Sequence, residues 1–141
     1  MIGYNCKYTP VEILAGFGEK CELMNKEAEN FNYSSNILHP NMCSHAKAML
    51  EEIHSGVFDK LVFMNCCDSS RRAADAVMND KSKFTYCFDL PTCSSACGVE
   101  KLKNNLIDLL AFMKIKQVKN SMFSYFCHRL MMKIVYPKEN I

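Results

Sequence analysis

The sequence carries almost no surplus charge of either sign. Seventeen Lys and Arg residues against 15 Asp and Glu leave a formal charge of +2, which provides no broad electrostatic footprint for nucleic acid or an anionic membrane. No apolar run approaches the roughly 18 residues that a membrane span requires. Met1 to Thr9 lacks the basic-then-apolar order of a secretory signal, so a cytoplasmic protein is expected. No internal repeat is present, which sets solenoids and propellers aside. The sequence has no Cys-x-x-Cys, and His39, His45 and His54 have no partner at zinc-site spacing. At 141 residues and 49% hydrophobic composition, the chain suits one α/β domain with a proper core and is too short for two.

Cysteine, by contrast, is abundant. Nine in 141 residues would suggest a disulfide framework in an exported chain. Without an export signal, the thiols are expected to stay reduced and to serve as metal ligands, redox groups or small core residues.

Short apolar runs alternate with helical patterns. Ile2 to Asn5 reads as a strand. Pro10 then opens a helix with Val11, Ile13, Leu14 and Phe17 on one face and Gly16 or Gly18 as its stop. Cys21 to Met24 reads as a second strand, and the polar stretch from Asn25 to Asn41 as a loop or excursion. Ala46, Leu50 and Ile53 define a helix over Cys43 to Ser55, ended by Gly56. Leu61 to Met64 is the next strand, followed by a helix capped by oxygens of Asp68, Ser69 and Ser70 and carrying Ala73, Ala74 and Val77. Phe84 to Leu90 and Val99 to Met113 supply a further strand and a long helix.

This alternation predicts an α/β fold in a single domain: a doubly wound, mainly parallel sheet with helices on both faces, of the flavodoxin or Rossmann kind. The expected division is an α/β domain over residues 1–113 and a helical tail over 114–141. In the tail, Met122, Phe123, Phe126, Leu130, Met131 and Ile134, with Met113, would form an amphipathic face.

In such folds, ligands collect where strand C-termini meet helix N-termini. Cys66 and Cys67 fall between a strand and the helix opened by Asp68, and Cys43 opens its own helix. Free N–H groups and the positive end of the helix dipole stabilise a thiolate or an anionic cluster there. Cys43 and Cys67 stand 24 residues apart, so they would have to converge from two loops. The spacing alone leaves a metal centre, a cluster and structural thiols all open.

Several segments resemble, in order, the D-component group of the two-component 2-hydroxyacyl-CoA dehydratase and benzoyl-CoA reductase family. These are Ile2-Gly3-Tyr4 with Pro10-Val11-Glu12-Ile13-Leu14-Ala15-Gly16; Met42-Cys43-Ser44 with Ala46-Lys47-Ala48; Asn65-Cys66-Cys67-Asp68-Ser69-Ser70-Arg71-Arg72; and Phe88-Asp89-Leu90-Pro91. The resemblance covers about Ile2 to Met113, the N-terminal part of such a subunit. It implies a lyase component holding a [4Fe-4S] cluster, with Cys43 as one ligand and Cys67 as the other; Cys66 is the fallback. Cluster-binding residues would thus double as metal ligands, and further ligands would come from a later domain with no counterpart here. It also implies a second dehydratase subunit, an ATP-hydrolysing activator that injects one electron, and a 2-hydroxyacyl-CoA thioester whose ketyl radical expels the hydroxyl group.

The same residues also admit a non-catalytic remnant or interaction module of this fold, or a related CoA-thioester reductase component. Arg71 and Arg72 suit either a CoA phosphate or plain solvation. Glu12 suits a helix first turn, His45 an exposed helix position, and Cys93 and Cys97 an incidental or a metal-binding turn. Cys127 matches nothing in the family. Neither a nucleic acid nor a membrane is expected as a partner.

Overall fold

The computed structural model describes residues 1–80 and 84–114. Its element order is β1 (Ile2–Tyr4), α1 (Val11–Gly16), β2 (Cys21–Leu23), α2 (Ser34–Ile37), α3 (Ser44–His54), β3 (Lys60–Met64), α4 (Asp68–Met78), β4 (Phe84–Phe88) and α5 (Ala96–Lys114). The four strands form one sheet in the order β2-β1-β3-β4, and every neighbouring pair is parallel. The fold is therefore α/β with an all-parallel sheet. The helical tail expected beyond residue 114 lies outside the described residues.

The chain divides into two compact units. One comprises Met1–Thr9 and Lys20–Asp89 and contains the whole sheet; the other comprises residues 10–19 and the described part of 90–141. In the second unit, α1 buries Ile13 and Leu14, and α5 buries Leu106, Leu109 and Met113.

In the first unit, β3 is the central hydrophobic element. Leu61 to Met64 are all at most 1% exposed, as a parallel strand buried on both faces requires. Leu61 and Phe63 point into a core shared with Ala46, Met49, Leu50 and Ile53 of α3 and Ala73, Ala74 and Val77 of α4. The i, i+3, i+4, i+7 spacing in α3 and the i, i+1, i+4 spacing in α4 each present one apolar stripe to the sheet. Each large side chain so buried contributes on the order of 1.5–3 kcal/mol. Gly56, at φ +80°, leaves α3 through the left-handed region.

Two local outcomes differ from the sequence expectation. The stretch read as a loop, Asn25 to Asn41, contains the helical turn α2. Ser34 donates from both its N–H and its hydroxyl to Glu51 of α3, each at 2.8 Å, and Leu38 is buried in the core. A polar stretch is ordered here by one carboxylate on a neighbouring helix, which periodicity does not report. The second concerns α4. Its cap is Cys67, whose sulfur accepts from the Ser70 N–H, rather than an oxygen of Asp68, Ser69 or Ser70.

β1 has to be thin where the core crosses it. A Cβ on Gly3 would stand 2.9 Å from Cγ of the fully buried Phe58. Gly3→Ala is therefore expected to cost about 1–3 kcal/mol by overpacking. Urea denaturation followed by circular dichroism should show a lower midpoint at unchanged slope, and an unaltered midpoint would contradict the close approach.

Candidate functional site

With the order 2-1-3-4, successive connections leave β1 in opposite directions, so the sheet has a topological switch point between β1 and β3. Crevices at the carboxyl ends of such strands are the usual ligand positions. Both strand ends are built from short polar and sulfur side chains: Asn5-Cys6 after β1 and Asn65-Cys66-Cys67 after β3.

Asn5 joins the two ends. Its side-chain carbonyl accepts from the Met64 N–H at 2.7 Å, and its amide donates to the Met64 carbonyl at 3.2 Å. The backbone ladder Ile2↔Lys60, Gly3↔Leu61, Tyr4↔Val62 is thereby continued by a side chain. The Cys66 N–H also donates to the Met64 carbonyl, at 2.8 Å, which folds residue 66 back over the end of its own strand. On the other side, Asn65 ties β3 to β4, donating from its N–H to the Phe88 carbonyl and from its side-chain amide to Asp89, both at 2.8 Å.

Two of the sequence-predicted thiols are helix caps. Cys43 is the N-cap of α3, its sulfur accepting from the Ala46 N–H at 3.5 Å, and Cys67 is the N-cap of α4. α3 precedes β3 and α4 follows it, a connectivity that in parallel α/β sheets puts helix N-termini at the carboxyl edge of the strands, and the two helices share one core. Both cysteines are exposed, as is Cys66.

The adjacent thiols Cys66 and Cys67 are made chemically unlike by burial of the first and by hydrogen bonds from Ser70 to the second. Cys67 Sγ lies 3.2 Å from the Ser70 hydroxyl and 3.4 Å from its N–H. These hydrogen bonds, the hydroxyl's first, hold the Cys67 thiol below its ordinary value. Cys66 is pushed up, chiefly by burial of its sulfur and further by the neighbouring Cys6 and Cys67, against a lowering contact from Ser70.

Cys6 was not nominated from the sequence, yet it is a neighbour of Cys66 and helps to push that thiol up. Nothing local marks it, because Asn5 and Met64 are 59 residues apart and only the β1–β3 pairing brings Cys6 to this edge. Among the described residues, the other cysteines lie elsewhere. Cys21 and Cys87 lie within strands, and Cys93 and Cys97 are exposed in the other unit.

The remaining candidates have ordinary settings. Arg71 and Arg72 are exposed, and Arg72 pairs with Asp75 at 3.7 Å. Glu12 lies in the first turn of α1, and His45 is exposed on α3. A cavity of about 320 Å³ lined by Lys26, Glu27, Glu29, Glu51 and Glu52 includes none of the cysteines. Thiolates at helix N-termini have the right softness and electrostatics for an iron–sulfur cluster. Among the described residues, however, no three His, Cys, Asp or Glu side chains converge on a single metal position. The donors therefore suit such a group in kind without completing its ligation.

A parallel α/β sheet with thiols gathered at its switch point defines the class of protein. The family model described as 2-hydroxyglutaryl-CoA dehydratase, D-component, matches residues 6–121 of the 141, and the chain belongs to that family. It is a family of dehydratase components known for iron–sulfur centres and for working with other subunits. No curated protein matches the chain significantly. Among the described residues, no helix is long and apolar enough to cross a membrane.

The asymmetry between the vicinal thiols is measurable. Alkylation proceeds through the thiolate, so a lowered value moves reactivity to lower pH. Cys67 should react with iodoacetamide at lower pH than Cys66, and Ser70→Ala should move the Cys67 profile upward. Superimposed profiles for the two cysteines, read by peptide mass spectrometry, would exclude the role given to Ser70.

Proposed function

We propose that the chain is the iron–sulfur component, or the N-terminal portion of one, of a 2-hydroxyacyl-CoA dehydratase, with Cys43 and Cys67 as ligands of a [4Fe-4S] cluster. The reading rests on one observation. The two thiols cap the N-termini of α3 and α4, helices that share one core. Unsatisfied N–H groups and the helix dipoles there favour the net negative charge of a thiolate-bound cluster. Ser70 assists by stabilising the Cys67 thiolate. Asn5 and Asn65 hold the three strand ends from which the site is built.

When bound, such a cluster supplies single-electron transfer to a CoA thioester, the chemistry needed to expel a poorly activated hydroxyl group as water. The partners of this reading are a second dehydratase subunit, an ATP-hydrolysing activator and a 2-hydroxyacyl-CoA. Its compartment is the cytoplasm, where thiols stay reduced. Two thiolates leave a four-iron cluster short of ligands, so solvent and oxygen have access to iron.

After anaerobic reconstitution with iron and sulfide, the chain is expected to hold an air-labile cluster. Cys67→Ser should abolish the visible absorption and most of the bound iron, whereas Cys93→Ser should leave both intact. Both variants lose one of nine cysteines, so non-specific binding by a thiol-rich chain is controlled. Equal iron in the two variants would identify the chain as a thiol-rich α/β module without a privileged ligand at Cys67.

A further inference from the structure

The first unit carries a second polar site, formed where the segment after β2 meets α3. A cavity of about 320 Å³ is bounded there by Glu51 and Glu52 of α3 and by Lys26, Glu27 and Glu29 of that segment. Four carboxylates and one ammonium give its lining a formal charge of −3, although the whole chain carries +2. Its volume lies at the small end of ligand pockets, about 300–1,000 Å³. Ala28 and Ala48 add methyl groups to the wall.

Glu52 is the group in this wall that lacks a donor. It is 7% exposed; its Oε2 accepts the Lys26 N–H at 3.3 Å, whereas its Oε1 is buried without any hydrogen bond. The ammonium paired with Oε1 is that of Lys26, at 3.5 Å, and Glu22, outside the cavity, holds the same ammonium closer, at 3.2 Å. The Glu22 contact is also the leading cause that raises the Lys26 ammonium above its ordinary value. Glu51 shows the contrast: its Oε1 is met by the Ser34 N–H and hydroxyl, both at 2.8 Å. Buried carboxylate oxygens are ordinarily hydrogen-bonded, so Oε1 of Glu52 marks a place for a further cationic donor. Glu27 and Glu29 are exposed and, among the described residues, enter no ion pair.

We propose that this cavity binds a small aliphatic diamine, one ammonium donating to Glu52 Oε1 and the other meeting Glu27 and Glu29 at the exposed rim. An ammonium carries three donors and no acceptor, so it supplies the bond that Oε1 lacks. It takes the place of the Lys26 ammonium, which moves aside and keeps Glu22. Carboxylates at two depths match two charges separated by a methylene chain, and Ala28 and Ala48 offer that chain an apolar surface. A divalent metal ion is the poorer occupant. It needs about six oxygen ligands, and among the described residues no three such side chains converge on one position. The site contains no cysteine, so it stands apart from the cluster reading and from its reconstitution test.

Titration calorimetry of the full chain with 1,4-diaminobutane, at constant ionic strength, is expected to show one saturable site. Glu52→Gln keeps an acceptor for the Lys26 N–H but removes the charge, and should weaken binding at least about tenfold with an unchanged circular dichroism spectrum. Glu29→Gln changes only the exposed rim, where folding is not at stake, and should weaken it about twofold to fivefold. Lys26→Gln removes the competing ammonium and should tighten binding. A carboxylate that served only to pair with Lys26 would not give these opposite signs. Neutral 1,4-butanediol, of the same length, and magnesium ion at equal ionic strength should not displace the diamine. Absence of saturation, equal affinity in Glu29→Gln or Glu52→Gln and the unaltered chain, weaker binding in Lys26→Gln, or displacement by magnesium would each overturn the proposal.

Discussion

The bidentate contact between the Asn5 side chain and the backbone of Met64 is the constraint from which the candidate site follows. β1 is only three residues long, and its ladder to β3 ends at Tyr4 and Val62. Beyond that point the backbones would separate and leave the Met64 N–H, deep in the core, without a partner and the Met64 carbonyl with the Cys66 N–H alone. Asn5 supplies one acceptor and one donor in the geometry of a peptide group, at 2.7 and 3.2 Å. It is itself buried, at 8% exposure. Leaving such groups unmet costs about 1–3 kcal/mol each, so this side chain stabilises the sheet at the same place where it sets Cys6 beside Cys66.

The second organising effect is local electrostatics at the start of α4. Adjacent cysteines ordinarily differ little, but here Cys67 meets both the hydroxyl and the N–H of Ser70 from the cap position, whereas Cys66 meets only the hydroxyl, at 3.7 Å. Ser70 is itself buried, so its hydroxyl and N–H act on the Cys67 sulfur with little competition from water, and the Cys67 thiol is lowered while Cys66 is raised. A sulfur cap therefore ends the helix in place of the oxygen caps that the sequence offers nearby. Cys43 repeats the sulfur cap on α3, giving the sheet edge two helix N-termini finished in the same way.

Much of the architecture was legible in the residues. The run Leu61 to Met64, apolar without alternation, is what a parallel strand buried on both faces demands. The stripe Ala46, Leu50, Ile53 marked α3 correctly, and the placement of Cys43 and Cys67 at helix openings followed from reading strand-helix junctions. The α2 turn escaped because its order comes from Glu51, on another helix, binding Ser34. The capping sulfur of Cys67 escaped because Asp68, Ser69 and Ser70 are all better known as caps, and only the path of the chain out of β3 decides which atom faces the free N–H groups.

By itself, then, the sequence determined the element types, the parallel α/β class, the family and which cysteines stand at strand-helix junctions, since all of these depend on periodicity, turn chemistry and motif order within a few tens of residues. The order β2-β1-β3-β4, the meeting of Cys6 with Cys66 and the opposite shifts of the vicinal thiols were decided only in three dimensions. They depend on contacts such as Asn5 with Met64, 59 residues apart, and on which polar groups are buried beside each sulfur. A strand's residues say that it will be paired and buried but not which neighbour it will take, and the chemistry at a switch point belongs to that choice of neighbour.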